Sequence, residues 1–228
     1  MKLFVLLPRI PYPLDKGDRL RAFHQLRYLS KHFSISLFAL NDEPPHPDAK
    51  AQLQPYCREI NFLPLNATAC KLRAVKGLIG SSLPLQVHYF RSKAAQQEVD
   101  AAIAQFEPDA IYTQMVRMAP YLTKHTSIPK VIDYQDALSA GMRNRIADSG
   151  ALLRPFIRLE AERLAAYEAK VFNSFDGHTI ISAQDKAAIQ HKNNQRIVVV
   201  KNGVDMDTFK AVDATKTYDL LFAGNMAY

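Results

Sequence analysis

Short apolar runs, each closed by a polar or proline-bearing loop and followed by a stretch of helical period, recur along the 228-residue chain. A brief apolar run without alternation is the signature of a strand covered on both faces. Such strands pair in parallel and need crossover helices to connect them. Leu3-Phe4-Val5-Leu6-Leu7 is the first run, stopped by Pro8. The loop over 8–17 carries three prolines and a glycine, and Asp18 is placed to cap a helix whose inward positions are Leu20, Phe23, Leu26 and Leu29. Further strands are expected over 33–40, 60–65, 110–113, 130–133, 176–182 and 196–201. Between them the period predicts helices over 48–54, 71–79, 92–106 (Ala95, Val99, Ile103 and Phe106 inward), 155–173 and 183–191. This alternation implies an α/β fold, a doubly wound parallel sheet of Rossmann-like type.

Residues 1–204 form that domain in this reading. The polar, aperiodic segment 205–217 reads as an interdomain connection, and 218–228, with Leu220-Leu221-Phe222 before Gly224, as the first strand of a second domain. With 48% hydrophobic residues the chain can bury a sizeable core, which argues against disorder. Cys57 and Cys70 match no metal or redox spacing and read as free thiols of a reducing compartment. No basic-then-apolar leader and no run of bilayer length is visible, so a cytoplasmic protein is expected. The formal charge is +7, and residues 1–32 hold seven basic against two acidic side chains. That excess favours an anionic partner, a phosphate or lipid headgroup more than nucleic acid, since no nucleic-acid-binding motif accompanies it. Lys71, Arg73 and Lys76 interleave with Leu72, Val75, Leu78 and Ile79, the pattern either of a helix resting on an anionic membrane or of an ordinary half-buried one. Asn66-Ala67-Thr68 matches a glycosylation sequon that has no use in a cytoplasmic protein.

Three segments that could carry chemistry fall at carboxyl ends of expected strands, where open α/β sheets bind ligands. Lys16, Gly17, Asp18 and Arg19 open the first helix, whose N–H groups favour an anion; the alternative is an ordinary capped βα loop. The three-glycine spacing of a dinucleotide fingerprint is missing. Asp133-Tyr134-Gln135-Asp136 offers two carboxylates three apart, either of which could be a general base for an acceptor hydroxyl, although Asp136 could equally cap the next helix. Asn202, Gly203 and Asp205 follow the seventh strand, and Asn-Gly predicts a turn that sets backbone amides and Asp205 at a cleft. Tyr112 and Gln114 end a strand and are further candidates for touching an acceptor.

Taken together, the Pro11–Arg21 loop, Asp133–Ser139, the stretch from Phe172 to Ser182 and Asn202–Phe209 resemble the amino-terminal half of retaining family 4-type glycosyltransferases of GT-B architecture. The likeness is nearest to bacterial exopolysaccharide sugar transferases, including those of PEP-CTERM-linked clusters. It implies a first domain that binds a polysaccharide or lipid-linked acceptor, with nucleotide-sugar contacts mostly in a second domain. On that reading Lys16, Gly17, Asp18, Arg19, Asn202, Gly203 and Asp205 border the donor phosphates. Asp133 and Asp136 are the catalytic candidates, and Tyr112, Gln114 and Tyr134 line the acceptor side. The resemblance implies no metal and no cofactor beyond the nucleotide-sugar substrate. It implies too that the 228 residues alone turn over poorly, because the paired glutamates and nucleoside contacts of such a second domain do not occur in them. Two rival readings are a non-catalytic binding module, or one subunit of a split transferase, and an unrelated Rossmann-type nucleotide enzyme that uses the Lys16–Arg19 loop.

Overall fold

The computed structural model describes residues 1–78 and 80–206, together with Thr217, Asp219 and Leu220. Seven parallel strands form one sheet: β1 (Lys2–Leu7), β2 (Ser34–Asn41), β3 (Glu59–Pro64), β4 (Ala110–Gln114), β5 (Lys130–Asp133), β6 (Gly177–Ile180) and β7 (Val198–Val199). Their order is β3-β2-β1-β4-β5-β6-β7, so the chain winds outward from β1 to one edge and then from β4 to the other. Register is set by apolar residues meeting across the strands, with Leu3 opposite both Ile35 and Ala110, and Tyr112 opposite Val131. The expected α/β doubly wound sheet is what the chain forms.

The helices are α1 (Gly17–Leu29), α2 (Ala49–Leu53), α3 (Ala67–Lys76), α4 (Leu85–Phe90), α5 (Lys93–Phe106), α6 (Leu138–Asp148), α7 (Arg154–Phe172) and α8 (Ala183–Ala188). Because side chains of a strand alternate in direction, the sheet feeds two cores. On one face Leu3, Val5, Leu7, Ile35 and Leu37 pack on Phe23 and Leu26 of α1 and Leu53 of α2. On the other, Phe4, Leu6, Phe38, Ile111 and Ile132 meet Val99 and Ile103 of α5 and Val171 and Phe172 of α7. Cys57 and Cys70 are both buried and unbridged, and burial pushes the Cys57 thiol up to about 12. No helix among the described residues is long and apolar enough to cross a membrane.

Several boundaries differ from the sequence expectation. α1 starts at Gly17 with Lys16 in the cap position, and Asp18 is no cap: its carboxylate accepts from Arg9 at 2.8 Å. Leu20 faces solvent, while Arg19 and Arg21 are buried in its stead. α3 begins earlier than expected because Asn66, set aside as a sequon, caps it by accepting from the Ala69 N–H at 3.0 Å. α4 and α6 were not expected at all. α5 spans the expected residues, with Ser92 as cap and Ala95, Val99, Ile103 and Phe106 inward. Apart from Asp205, Met206, Thr217, Asp219 and Leu220, the expected connection 205–217 and segment 218–228 lie outside the described residues, as does Ile79.

Candidate functional site at the carboxyl edge of the sheet

The carboxyl ends of β1, β4 and β5 converge with the first turns of α1, and a polar network is buried between them. Asp133, the last residue of β5, has no solvent exposure. Its Oδ2 accepts from Arg21 Nε at 2.8 Å and from Gln25 Nε2 at 2.9 Å. The Tyr112 hydroxyl lies 3.1 Å from the same oxygen and 2.8 Å from Gln25 Oε1. Oδ1 accepts from the Gln135 N–H at 3.0 Å. A carboxylate with no solvent exposure, enclosed by donors from three elements, is not placed where a substrate hydroxyl can reach it. Asp133, one of the two candidate bases, therefore serves as the anchor of the edge.

Arg21 ties that anchor to the end of the chain's seventh strand. Its Nη1 donates to the Val200 carbonyl at 2.9 Å and to Asn202 Oδ1 at 2.8 Å, while its Nη2 is buried without a partner among the described residues. The expected Asn-Gly turn does not form. Asn202 is held by Arg21, and Gly203 keeps an ordinary backbone in the extended run that follows Val200. Asp205 meets Arg27 at 3.3 Å, so this segment lies along the outer side of α1. Gln114 is buried and continues the network by donating to Gln25 at 2.6 Å and accepting from Gln135 at 2.9 Å. Burial and the Asp133 anion push the Tyr112 phenol well above its ordinary value, so it stays a donor.

Two residues at this edge hold backbone angles that L side chains seldom adopt: Met115 after β4 (φ 63) and Gln135 after β5 (φ 61). Strain of this kind, of order 1–3 kcal/mol each, persists only where the surroundings fix it, and here the Gln135 kink turns the chain so that Asp136 emerges. Asp136 is exposed, and no hydrogen bond from the described residues reaches its carboxylate. It does not cap α6, whose cap position is Ala137. Desolvation by the walls of the edge, then the nearby Asp185, raise its proton affinity above that of an ordinary aspartate, with Arg21 opposing.

The other candidates divide. Gly17 stands open, with nothing within 4 Å of where a Cβ would be. Arg19, however, is buried between Asp15 (3.1 Å) and Glu43 (2.9 Å), and Lys16 stands 3.9 Å from Glu43. Their charge is thus partly spent within the protein. Tyr134 is corrected outright: strand alternation turns it to the opposite face, where it is 1% exposed in the core with its hydroxyl 3.3 Å from the Glu168 carbonyl. Sequence reasoning missed Arg21, Gln25 and Gln135. The first two stand four apart on one face of α1, a spacing that could have flagged them as a polar stripe on a helix expected to be apolar there.

Beside the network, α1 covers only part of its face of the sheet. A groove of ≈670 Å³ remains, lined by Arg21, His24, Gln25, Tyr112, Val131 and Asn202 among others. Among the described residues no cluster of three or more His, Cys, Asp or Glu is arranged to hold a metal ion.

No family model matches the chain, and no curated protein matches it in sequence. Solved structures do match in fold. The sucrose-phosphate synthase of Thermosynechococcus elongatus superimposes with a TM-score of 0.58 at 14% identity, over 93% of this chain and 51% of that one. Medicago truncatula UGT71G1 complexed with UDP-glucose gives 0.52 at 13% identity, over 95% and 54%. Phytolacca americana UGT2, complexed with UDP-2-fluoro-glucose and pterostilbene, gives 0.51 at 10%, over 89% and 54%. The fold is that of a Rossmann-like domain of GT-B glycosyltransferases. The chain spans about half the length of these neighbours.

Proposed function

We propose that the chain is the acceptor-side half of a glycosyltransferase that moves a sugar from a nucleotide-sugar donor to a hydroxyl of a polysaccharide or lipid-linked acceptor. The observation that carries this reading is Asp136: an exposed carboxyl of raised proton affinity, without a hydrogen-bond donor among the described residues, set at the carboxyl edge by a rigid buried network. A general base works best when its affinity for protons lies closer to that of the medium, and when it stands where a ligand hydroxyl can reach it.

In the transfer, the acceptor oxygen forms a bond to the anomeric carbon as the bond from that carbon to the diphosphate breaks. Asp136 receives the acceptor's proton, and the nucleoside diphosphate leaves with the electron pair. Tyr112 and Gln114 belong to the supporting network on this account and orient the edge through Gln25. On this reading Gly17, which has nothing within 4 Å of where a Cβ would be, and the Asn202–Asp205 segment border the donor phosphates, the amide dipoles of the α1 start attracting the leaving group. Holding the donor needs a second domain across the cleft, and positioning of this kind supplies much of an enzyme's acceleration.

The test is acceptor-dependent release of nucleoside diphosphate, measured for the chain joined to its donor half and for the 228 residues alone. The expected result is turnover in the first case and next to none in the second. Turnover by the 228 residues alone at ordinary enzyme rates overturns the half-enzyme reading, and hydroxyl-independent release by both overturns transfer.

A further inference from the structure

We propose that a second cleft, formed where α3, α4 and the start of α5 meet, binds a phosphate group. The cleft holds ≈660 Å³ and is lined by Arg73, Lys76, Arg91 and Lys93 together with His88 and Ser92. It contains none of the Asp133 network and stands independently of the transfer reading.

Four cations share this wall, and none of them has a carboxylate within ion-pair distance among the described residues. The neighbouring acids are committed elsewhere. Glu160 accepts the backbone N–H groups of Leu85 and Gln86, Asp42 accepts the Tyr89 hydroxyl, and Asp100 is taken by Lys124, His125 and Gln96. Around α1 the opposite holds: Arg9, Arg19, Arg21 and Arg27 each have an acidic partner. The α3–α5 cleft thus holds four cations without an acidic partner among the described residues, and like charges so placed repel unless an anion joins them.

The cleft also holds a donor that lacks an acceptor among the described residues. Arg73 gives Nη2 to the Tyr89 carbonyl at 3.2 Å, but its Nε is buried with no hydrogen-bond partner among the described residues. A buried unpaired donor is costly, and a ligand oxygen would remove that cost. Ser92 and Lys93 begin α5, a helix of 14 residues whose N-terminal dipole adds to the attraction for an anion. The wall is also firm. His88 is held by the Ser81 hydroxyl at 2.7 Å and lies so close over Gly77 that a Cβ there would come within 2.2 Å of its ring.

Two sources share this chemistry, a soluble phosphorylated compound and an anionic lipid headgroup. Leu72 and Val75, exposed on α3 beside Lys76, would suit the second. The experiment uses the 228-residue chain, inorganic pyrophosphate as a calorimetric titrant, and sedimentation with phosphatidylcholine vesicles prepared with and without phosphatidylglycerol. The variant is Lys76→Glu/Arg91→Glu, both exposed positions, with Lys50→Glu on α2 as the charge-matched control and thermal melts to confirm folding. Saturable pyrophosphate binding weakened about tenfold or more in the double variant, and unchanged in the control, is expected if the ligand is soluble. Phosphatidylglycerol-dependent sedimentation lost in the same variant is expected if it is a headgroup. Neither kind of binding in the unaltered chain, or equal loss in the control, overturns the proposal.

Discussion

Asp133 and Asp136 stand three residues apart, and the kink at Gln135 separates their surroundings. Asp133 is enclosed and receives Arg21, Gln25 and the Gln135 N–H; Asp136 is exposed and receives nothing from the described protein. Replacing Asp133 by Asn would leave the Arg21 guanidinium buried without its counter-charge, and such losses cost about 3–5 kcal/mol. Chemical denaturation of Asp133→Asn is expected to show a destabilisation of that size; a change below about 1 kcal/mol would contradict the anchor role. His178 gives a second residue-level expectation. It is 3% exposed, stacked on Phe172 at 3.8 Å, and neither ring nitrogen has a hydrogen-bond partner among the described residues. Burial lowers its pKa to about 4. Below the ordinary histidine value the unfolded chain takes up a proton that the folded chain refuses, so stability falls as pH drops from about 6.5 towards 4 and levels off below. The loss approaches about 3 kcal/mol at most, and His178→Phe is expected to flatten the pH dependence of the melt over that window. An unchanged slope in that variant would show that other groups carry it.

At the scale of elements, legibility followed agreement between local signals. α5 could be read from the sequence because its Ser92 cap and its stripe of Ala95, Val99, Ile103 and Phe106 point the same way. α6 could not, because only Ser139 of its residues is buried and Gly141 interrupts it, so no apolar stripe marks it. α4 is six residues long, too short for a period to show. The start of α1 was misplaced because Asp18 prefers Arg9, a partner nine residues back, to the helix amides. Such tertiary choices leave no local trace. The contact between α3 and α4 yields its own expectation. Gly77→Ala would drive a methyl into the His88 ring, destabilising the protein by about 1–3 kcal/mol, and His88→Ala should relieve most of that in the double variant. Additive losses in the double-mutant cycle would refute the clash.

At the scale of the molecule, the alternation of apolar runs and helical stretches was enough for the doubly wound sheet, since parallel strands with right-handed crossovers leave few other solutions. The site was legible in part. Asp136, Tyr112 and Gln114 were in view because strand ends bind ligands in such sheets. Arg21 and Gln25 were not, because their partner Asp133 lies 112 and 108 positions away and only the folded sheet brings them together. Charge misled in the same way. The basic excess of residues 1–32 is mostly neutralised once folded, whereas the cations of α3 to α5 are left unmatched.

We propose that Asp136 takes the acceptor's proton while Asp133 only holds the edge in shape. The most direct measurement is the rate and pH profile of transfer by Asp136→Asn, in the chain joined to its donor half, set beside its melting temperature. The expected result is a fall in kcat of about 10²–10⁴-fold with the melting temperature unchanged. The acidic limb of the unaltered profile, set by a carboxyl above the ordinary aspartate range, is expected to disappear in the variant. Near-normal turnover by Asp136→Asn, with the acidic limb intact, would overturn the role of Asp136 as the base.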